Sequence, residues 1–274
     1  MNSILRRHFS SLNSSVAYIT GAGGGLGRAT ALRFAKNGCR VCVVDLSEST
    51  VQSTANEINK LYGKCKNGKS LALPLVVDVS SEDQVKSSIQ RGVEEFGGIS
   101  ILVNCAGIAT PMRVISKKGP HSLQQFEKVI QVNTVGTFNC IRLIAESMSQ
   151  HCTVDNDGLR GVIINTASIA AMDGQIGQAA YAASKGAIVS MTLPIARELS
   201  SLGIRVCTIA PGLFLTPLLE ALPPQVQGAL AETVPLPRRL GHPDEFAHLA
   251  QSIVENSMLN GEVIRLDGAL RMQP

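Results

Sequence analysis

The chain has 274 residues, a formal net charge of +4 and 45% hydrophobic residues, enough to bury one large core or two small ones. So small a charge makes no case for a nucleic-acid-binding surface, and no direct sequence-specific nucleic-acid contact is expected. Uncharged runs such as Val206 to Leu219 fall well short of the roughly 18 apolar residues that a membrane-spanning helix needs.

Seven cysteines, an odd number scattered through apolar segments, read as reduced thiols rather than a disulfide framework. No linker or internal repeat divides the chain, so a single domain is expected over residues 15–274. Residues 1–14 stand apart. They carry Arg6, Arg7 and His8 among serines, and no acidic residue precedes Asp45, which fits a mitochondrial presequence; a featureless tail is the alternative.

Val16 to Thr20 is a short buried-strand pattern followed at once by GAGGGLG and a helical run from Arg28 to Lys36. Glycines at 21, 25 and 27 let the chain turn tightly, approach a pyrophosphate and pack the helix close to the strand. The helix N-terminus then presents unpaired N–H groups to phosphate. Such a loop alone is weak evidence; strand before and helix after strengthen it. Gly21, Gly24, Gly25, Leu26 and Gly27 are therefore candidate cofactor contacts.

Cys39 and Cys42 lead into the next strand, Val41 to Val44, where positions three apart face opposite ways, so neither a metal nor a redox pair is expected. That strand ends in Asp45 and Leu46. A carboxylate at this point accepts from both ribose hydroxyls of an adenosine and repels a 2′-phosphate, favouring NAD over NADP; an ordinary helix cap is the alternative. A helix over Ser49 to Leu61 leads to a loop with Lys64, Lys66 and Lys69. Solvated surface is the usual reading of such a cluster, attraction of a polyanion or RNA the other.

Leu71 to Val77 is a third strand, placed at the sheet edge by Pro74 and ending in Asp78 and Val79 beside the expected adenine. A helix from Ser80 to Phe96, with Ser80 and Asp83 at capping-box-like spacing, precedes a fourth strand over Ile101 to Val103. Asn104, Cys105, Ala106 and Gly107 form its exit. Ser122 begins one long helix that contains Asn133.

Val162 to Ile164 is a buried strand ending in Asn165, Thr166 and Ser168, and Ala179 to Leu199 is a helix on which Tyr181 and Lys185 sit side by side. A free phenol ionises near pH ~10, so a proton-accepting tyrosine needs a positive neighbour, which Lys185 supplies. Ser168 brought beside Tyr181 would complete an acid/base site. Tyr-x-x-x-Lys also occurs by chance on many helices. Pro194 predicts a kink in this one. Ile204 to Ile209 is the sixth strand, the Leu- and Pro-rich segment from Leu213 to Leu240 suits a lid over an apolar substrate, and Glu262 to Leu266 is the last strand. The apolar tail after it is expected to meet a symmetry mate.

TGAGGGLG, NCAG, the Ser168, Tyr181 and Lys185 set and Pro211-Gly212 occur in order over almost the whole chain, and together they closely resemble the short-chain dehydrogenase/reductase family. Cys105 replaces the usual second Asn of Asn-Asn-Ala-Gly. The resemblance implies an α/β fold: a single Rossmann-type doubly wound domain, seven parallel strands with helices on both faces, assembled as a homotetramer. It implies NAD as cofactor and no metal, and makes Asn133 a fourth catalytic member holding a water in line with the lysine; a plain buried amide is the other reading.

By the same resemblance Pro211, Phe214 and Thr216 lie at the nicotinamide, and Ser168, Gln175 and Tyr181 touch substrate. Two longer segments, Thr110 to His121 with Lys117 and Lys118 and Gln150 to Arg160, resemble the mitochondrial branch that oxidises 3-hydroxyacyl-CoA. An acyl-CoA substrate is implied, with a steroid as the alternative. The resemblance also admits a scaffold role beside a tRNA methyltransferase in mitochondrial tRNA processing.

Overall fold

The computed structural model describes residues 11–13, 15–63, 70–117 and 119–274. The presequence reading of residues 1–14 rests mostly on residues outside that set, and Lys64, Lys66, Lys69 and Lys118 lie outside it too. Among the described residues, seven parallel strands form one sheet. In chain order these are β1 (Val16–Thr20), β2 (Arg40–Asp45), β3 (Ala72–Val76), β4 (Ile101–Asn104), β7 (Gly161–Thr166), β8 (Ile204–Pro211) and β9 (Val263–Leu266); β5 (Ile115–Ser116) and β6 (Gly119–Pro120) make a small hairpin inside the longer segment before His121.

The sheet order is β3-β2-β1-β4-β7-β8-β9. Successive strands run outward in one direction to β3, then in the other from β4. This reversal between β1 and β4 opens a crevice at the carboxyl ends of the strands, where ligands of such sheets bind. Pro74, which has no N–H to donate, stands on the edge strand as expected.

Helices cover both faces, so the strands are near-continuous apolar runs. On one face Phe34 of α1 (Gly25–Lys36), Ile58 of α2 (Glu48–Tyr62) and Phe246 of α9 (Pro243–Glu255) pack on Ala17, Ile19, Val41 and Val43. On the other, Ile89 of α3 (Glu82–Phe96) and Ile141 and Ile144 of α5 (Gly136–His151) pack on Tyr18, Cys42 and Val44. Cys39 lies in the first core and Cys42 in the second. Burial pushes both thiols up, Cys42 to about 12, so both stay protonated and apart.

Three elements differ from expectation. The cap of α3 is Ser81, whose Oγ accepts from the Gln84 N–H, while Ser80 is held by the Asp78 carboxylate. The helix begun by Ser122 is not continuous: α4 (Leu123–Ile130) passes into a π turn at Gln131–Val135 before α5. α9, unforeseen, starts with Pro243 in its first turn, a capping box between His242 and Glu245, and acidic Asp244 and Glu245 at its positive end. α6 (Ala179–Leu199) runs on through Pro194, and two short helices, α7 (Pro217–Glu220) and α8 (Pro224–Glu232), lie within the segment expected as a lid.

Candidate active site

The crevice is a cavity of about 610 Å³, within the size range of small-molecule sites. Each of the seventeen expected cofactor contacts lines it: Gly21, Gly24, Gly25, Leu26, Gly27, Asp45, Leu46, Asp78, Val79, Cys105, Ala106, Gly107, Tyr181, Lys185, Pro211, Phe214 and Thr216.

The glycine loop divides the work between packing and opening. A Cβ on Gly27 would stand 2.3 Å from the Gly21 carbonyl oxygen, and one on Gly21, at φ +66°, 2.8 Å from the Ala106 nitrogen. Those two bring strand, helix and the β4 exit together. Gly24 has no neighbour closer than Pro217 at 3.8 Å, so the start of α1 is open. That end has no side-chain cap and no acidic residue in its first turn, leaving its N–H donors and positive dipole end for an anion.

Asp45 follows β2. Its Oδ2 accepts from the Gly23 N–H at 3.0 Å and its Oδ1 from the Leu46 N–H at 2.7 Å. Each oxygen keeps a further lone pair, and the N-cap of α2 is Ser47 rather than Asp45. A Cβ on Gly23 would lie 2.3 Å from Thr50 Oγ1, so backbone alone approaches the carboxylate. The donor set, the open glycines and the carboxylate fit a dinucleotide.

At the other end, β7 delivers Ser168 and α6 delivers Tyr181 and Lys185. Ser168 caps a short helical turn, Ile169–Ala171, its Oγ accepting from the Ala170 N–H at 3.1 Å. Burial raises the Tyr181 phenol, and the neighbouring Ser168 hydroxyl pulls it part of the way back. Burial also lowers Lys185, to about 8. Its Nζ donates to the Thr166 carbonyl at 2.7 Å and stands 5.8 Å from the Tyr181 ring centre. Lys185 is not among the groups that lower the phenol in this structure: its ammonium is turned to the Thr166 carbonyl, and burial sets the direction of the Tyr181 shift.

Asn133 lies at the π turn and is wholly buried. Such one-turn bulges often mark functional sites. Its Oδ1 accepts from the Ile108 N–H at 2.8 Å, while Nδ2 donates to the Ile108 carbonyl at 2.9 Å and to Ser184 Oγ at 3.0 Å. Both donors are spent on protein, so the side chain clamps the Gly107–Ile108 backbone and has no N–H left for a water.

Gln175 is not among the cavity-lining residues. Its Nε2 donates to the Gln273 carbonyl at 2.9 Å, making it a tether for the C-terminal tail. Leu270 of that tail is buried with Ile169 and Val234 of its own chain, so this part of the tail is already covered without a symmetry mate.

Sequence reasoning missed Thr20, whose Oγ1 accepts from the Cys105 and Ala106 N–H groups at 3.1 Å each. It also missed Ser184, which donates to the Tyr181 carbonyl at 2.7 Å and accepts from Asn133. Their only signal was a position, at a strand end and one residue before the lysine. Cys105 accepts from Thr166 Oγ1 at 3.5 Å and is pushed up to about 11 by burial. It is a neutral wall residue.

The short chain dehydrogenase family matches residues 15–227. The chain is 53% identical to the 3-hydroxyacyl-CoA dehydrogenase type-2 of Drosophila melanogaster, over 96% of this chain and all of that one. Among solved structures, 3-hydroxyacyl-CoA dehydrogenase type-2 from Mycobacterium avium superposes with a TM-score of 0.88 at 37% identity, covering 95% of this chain and 97% of that chain. A 3-ketoacyl-(acyl-carrier-protein) reductase from Brucella melitensis, complexed with NADH, gives 0.82 at 29% identity, covering 96% and 100%. With its parallel sheet, open glycine loop and Ser168, Tyr181 and Lys185 gathered in one cavity, the chain belongs to the short-chain dehydrogenase family.

Proposed function

We propose that the protein is an NAD-dependent dehydrogenase that interconverts (S)-3-hydroxyacyl-CoA and 3-oxoacyl-CoA. One observation carries the reading: Ser168, Tyr181 and Lys185 line the same cavity as Asp45 and the open end of α1, in a chain 53% identical along its length to a protein named for that activity.

The start of α1 would hold the pyrophosphate, Asp45 the adenosine ribose, and Lys185, beside Gly107 and the Thr166 carbonyl, the second ribose. When bound, the nicotinamide supplies or takes up the hydride. Tyr181 gives its phenolic proton to the substrate oxygen during reduction and recovers it during oxidation, and Ser168 hydrogen-bonds the same oxygen. Asn133 serves as a positioning residue by fixing the Gly107–Ile108 backbone. Leu213 and Leu219 line the cavity from the lid side and shed water from an acyl chain.

The test is a substrate panel in which NADH consumption is followed with acetoacetyl-CoA, a steroid ketone and a simple hydroxy-acid ketone. Acetoacetyl-CoA should be turned over fastest; a steroid ketone ahead of it would replace the acyl-CoA reading.

The exposed Val135 and Phe138 around the start of α5 and Leu193 on α6 support a homotetramer, which light scattering would measure. The Arg- and Ser-containing first fourteen residues support import into the mitochondrial matrix, and loss of import on deleting them is expected. For the scaffold role beside a tRNA methyltransferase, which rests on the family resemblance alone, co-purification of that enzyme with a Tyr181→Phe variant is the corresponding test.

A further inference from the structure

Arg265 stands on β9 opposite Ala210, one position before the pairing of Leu266 with Pro211. Its Nη1 and Nη2 donate to the two carboxylate oxygens of Asp173 at 3.1 and 2.6 Å, and its Nε donates to Asp267 at 2.7 Å. Nη2 also reaches the Leu270 carbonyl at 2.9 Å. Both carboxylates are largely covered, with side-chain exposures of 14% and 7%, so the forked pair is better shielded from water than a surface ion pair.

The partners of this guanidinium belong to two segments, the turn after Ser168 and the C-terminal turn, and the second is packed against both ends of the lid. Asp173 ends the turn capped by Ser168, and its N–H donates to the Ile169 carbonyl at 2.8 Å. Asp267 abuts Gly212, where a Cβ would stand 2.9 Å from the Asp267 Cβ, at the start of the lid segment. The far end of that segment rests on the same C-terminal turn: the Leu236 N–H donates to the Gly268 carbonyl, and a Cβ on Gly268 would lie 2.7 Å from the Leu236 oxygen. Ile169, Val234 and Leu270 bury one another where the two segments and the lid meet.

We infer that Arg265 and Asp173 are positioning residues: their fork holds the Ser168 turn in register with Tyr181 and couples it to both ends of the Leu213–Leu240 lid. This rests on the reading of Ser168 and Tyr181 as the acid/base pair. A purely structural ion pair would change stability and leave the chemistry of the folded protein alone. A positioning pair changes turnover, because displacements of about 1 Å at a reacting group can cost on the order of a hundredfold.

The experiment measures NADH dissociation, KM and kcat for acetoacetyl-CoA, and the thermal midpoint in the full chain. Asp173→Asn should lose roughly tenfold or more in kcat at a temperature well below its midpoint, with NADH affinity within about twofold. Asp173→Glu, which restores a two-oxygen acceptor, should regain most of the loss. Arg271→Ala, removing a 62%-exposed arm that touches Asp267 from outside, should leave kcat unchanged. Wild-type kcat in folded Asp173→Asn, or a loss that Asp173→Glu does not repair, overturns the inference. Should Asp173→Asn not fold, Arg265→Lys, which keeps charge and loses the fork, carries the same expectation and the same overturning result. Absence of acetoacetyl-CoA turnover in the wild type would fail the functional reading instead, a distinct outcome.

Discussion

Tyr181 and Lys185 share one face of α6 at the cavity wall, and desolvation disfavours the charged form of each: the phenol rises and the ammonium falls to about 8. At neutral pH this leaves a protonated phenol beside a still-charged lysine, a pair ready to donate. Reduction of the oxo substrate should therefore be favoured at neutral pH and decline as Lys185 loses its proton above about 8. Oxidation, which needs the phenol to accept, should gain with rising pH. Paired pH profiles of the two directions check this.

The same burial has a sign for stability. Between about 8 and 10.5 the unfolded chain keeps a proton on Lys185 that the folded chain has lost, so Lys185 contributes a rise in stability with pH across that window, of at most about 3 kcal/mol. The stability of wild type relative to Lys185→Met, measured by denaturation at pH 7, 9 and 10.5, should rise across that window, since the buried thiols contribute equally to both. Asp45→Ala removes the acceptor of the Gly23 N–H; NADH affinity should fall by roughly tenfold and the gap to NADPH should narrow, as titration of both cofactors would show.

Residue identities were legible because the chemistry needs them at fixed spacings: Tyr181 four before Lys185, Asp45 at a strand end. Where Lys185 Nζ points was not, since the Thr166 carbonyl that receives it comes from another element nineteen residues away.

At the scale of elements, what pattern could reveal was the alternation of strands and helices; what it could not was the break in the helix through Asn133. QVNTVGTFN keeps a helical composition, and nothing in it announces the π turn from which Asn133 reaches across to Ile108 and Ser184. Asn133→Ala would leave the Ile108 N–H and carbonyl without these partners, costing about 1–3 kcal/mol for each buried polar group left unpaired. Chemical denaturation should record the loss, and kcat should fall with it while the sheet remains folded by circular dichroism.

The tether made by Gln175 was hidden for the opposite reason. Its place in the loop before Tyr181 resembles the family's substrate contacts, yet its amide is taken by the Gln273 carbonyl, a partner 98 residues away that no local pattern announces. The cap of α3 shifted by one residue because Asp78 claims both the N–H and the hydroxyl of Ser80, leaving Ser81 to face the helix.

For the whole molecule, seven parallel strands with helices on both faces were legible through the family resemblance, whereas the strand order and the crevice at its reversal come from pairings between distant strands, such as β1 with β4, that no local pattern announces. The two cores are fed by alternate residues of the same strands, as Val41 and Cys42 of β2 illustrate. The lid was readable only as composition; its anchoring to Gly268 and Asp267 needs the C-terminal turn, formed by the last residues of the chain.

The central claim is that Tyr181 moves the proton while the rest of the cavity holds the dinucleotide. The most direct measurement compares wild type and Tyr181→Phe for NADH dissociation and acetoacetyl-CoA turnover in one buffer. The account predicts unchanged NADH binding and a turnover lower by roughly a hundredfold or more; a variant that binds NADH and turns over at close to the wild-type rate would contradict it.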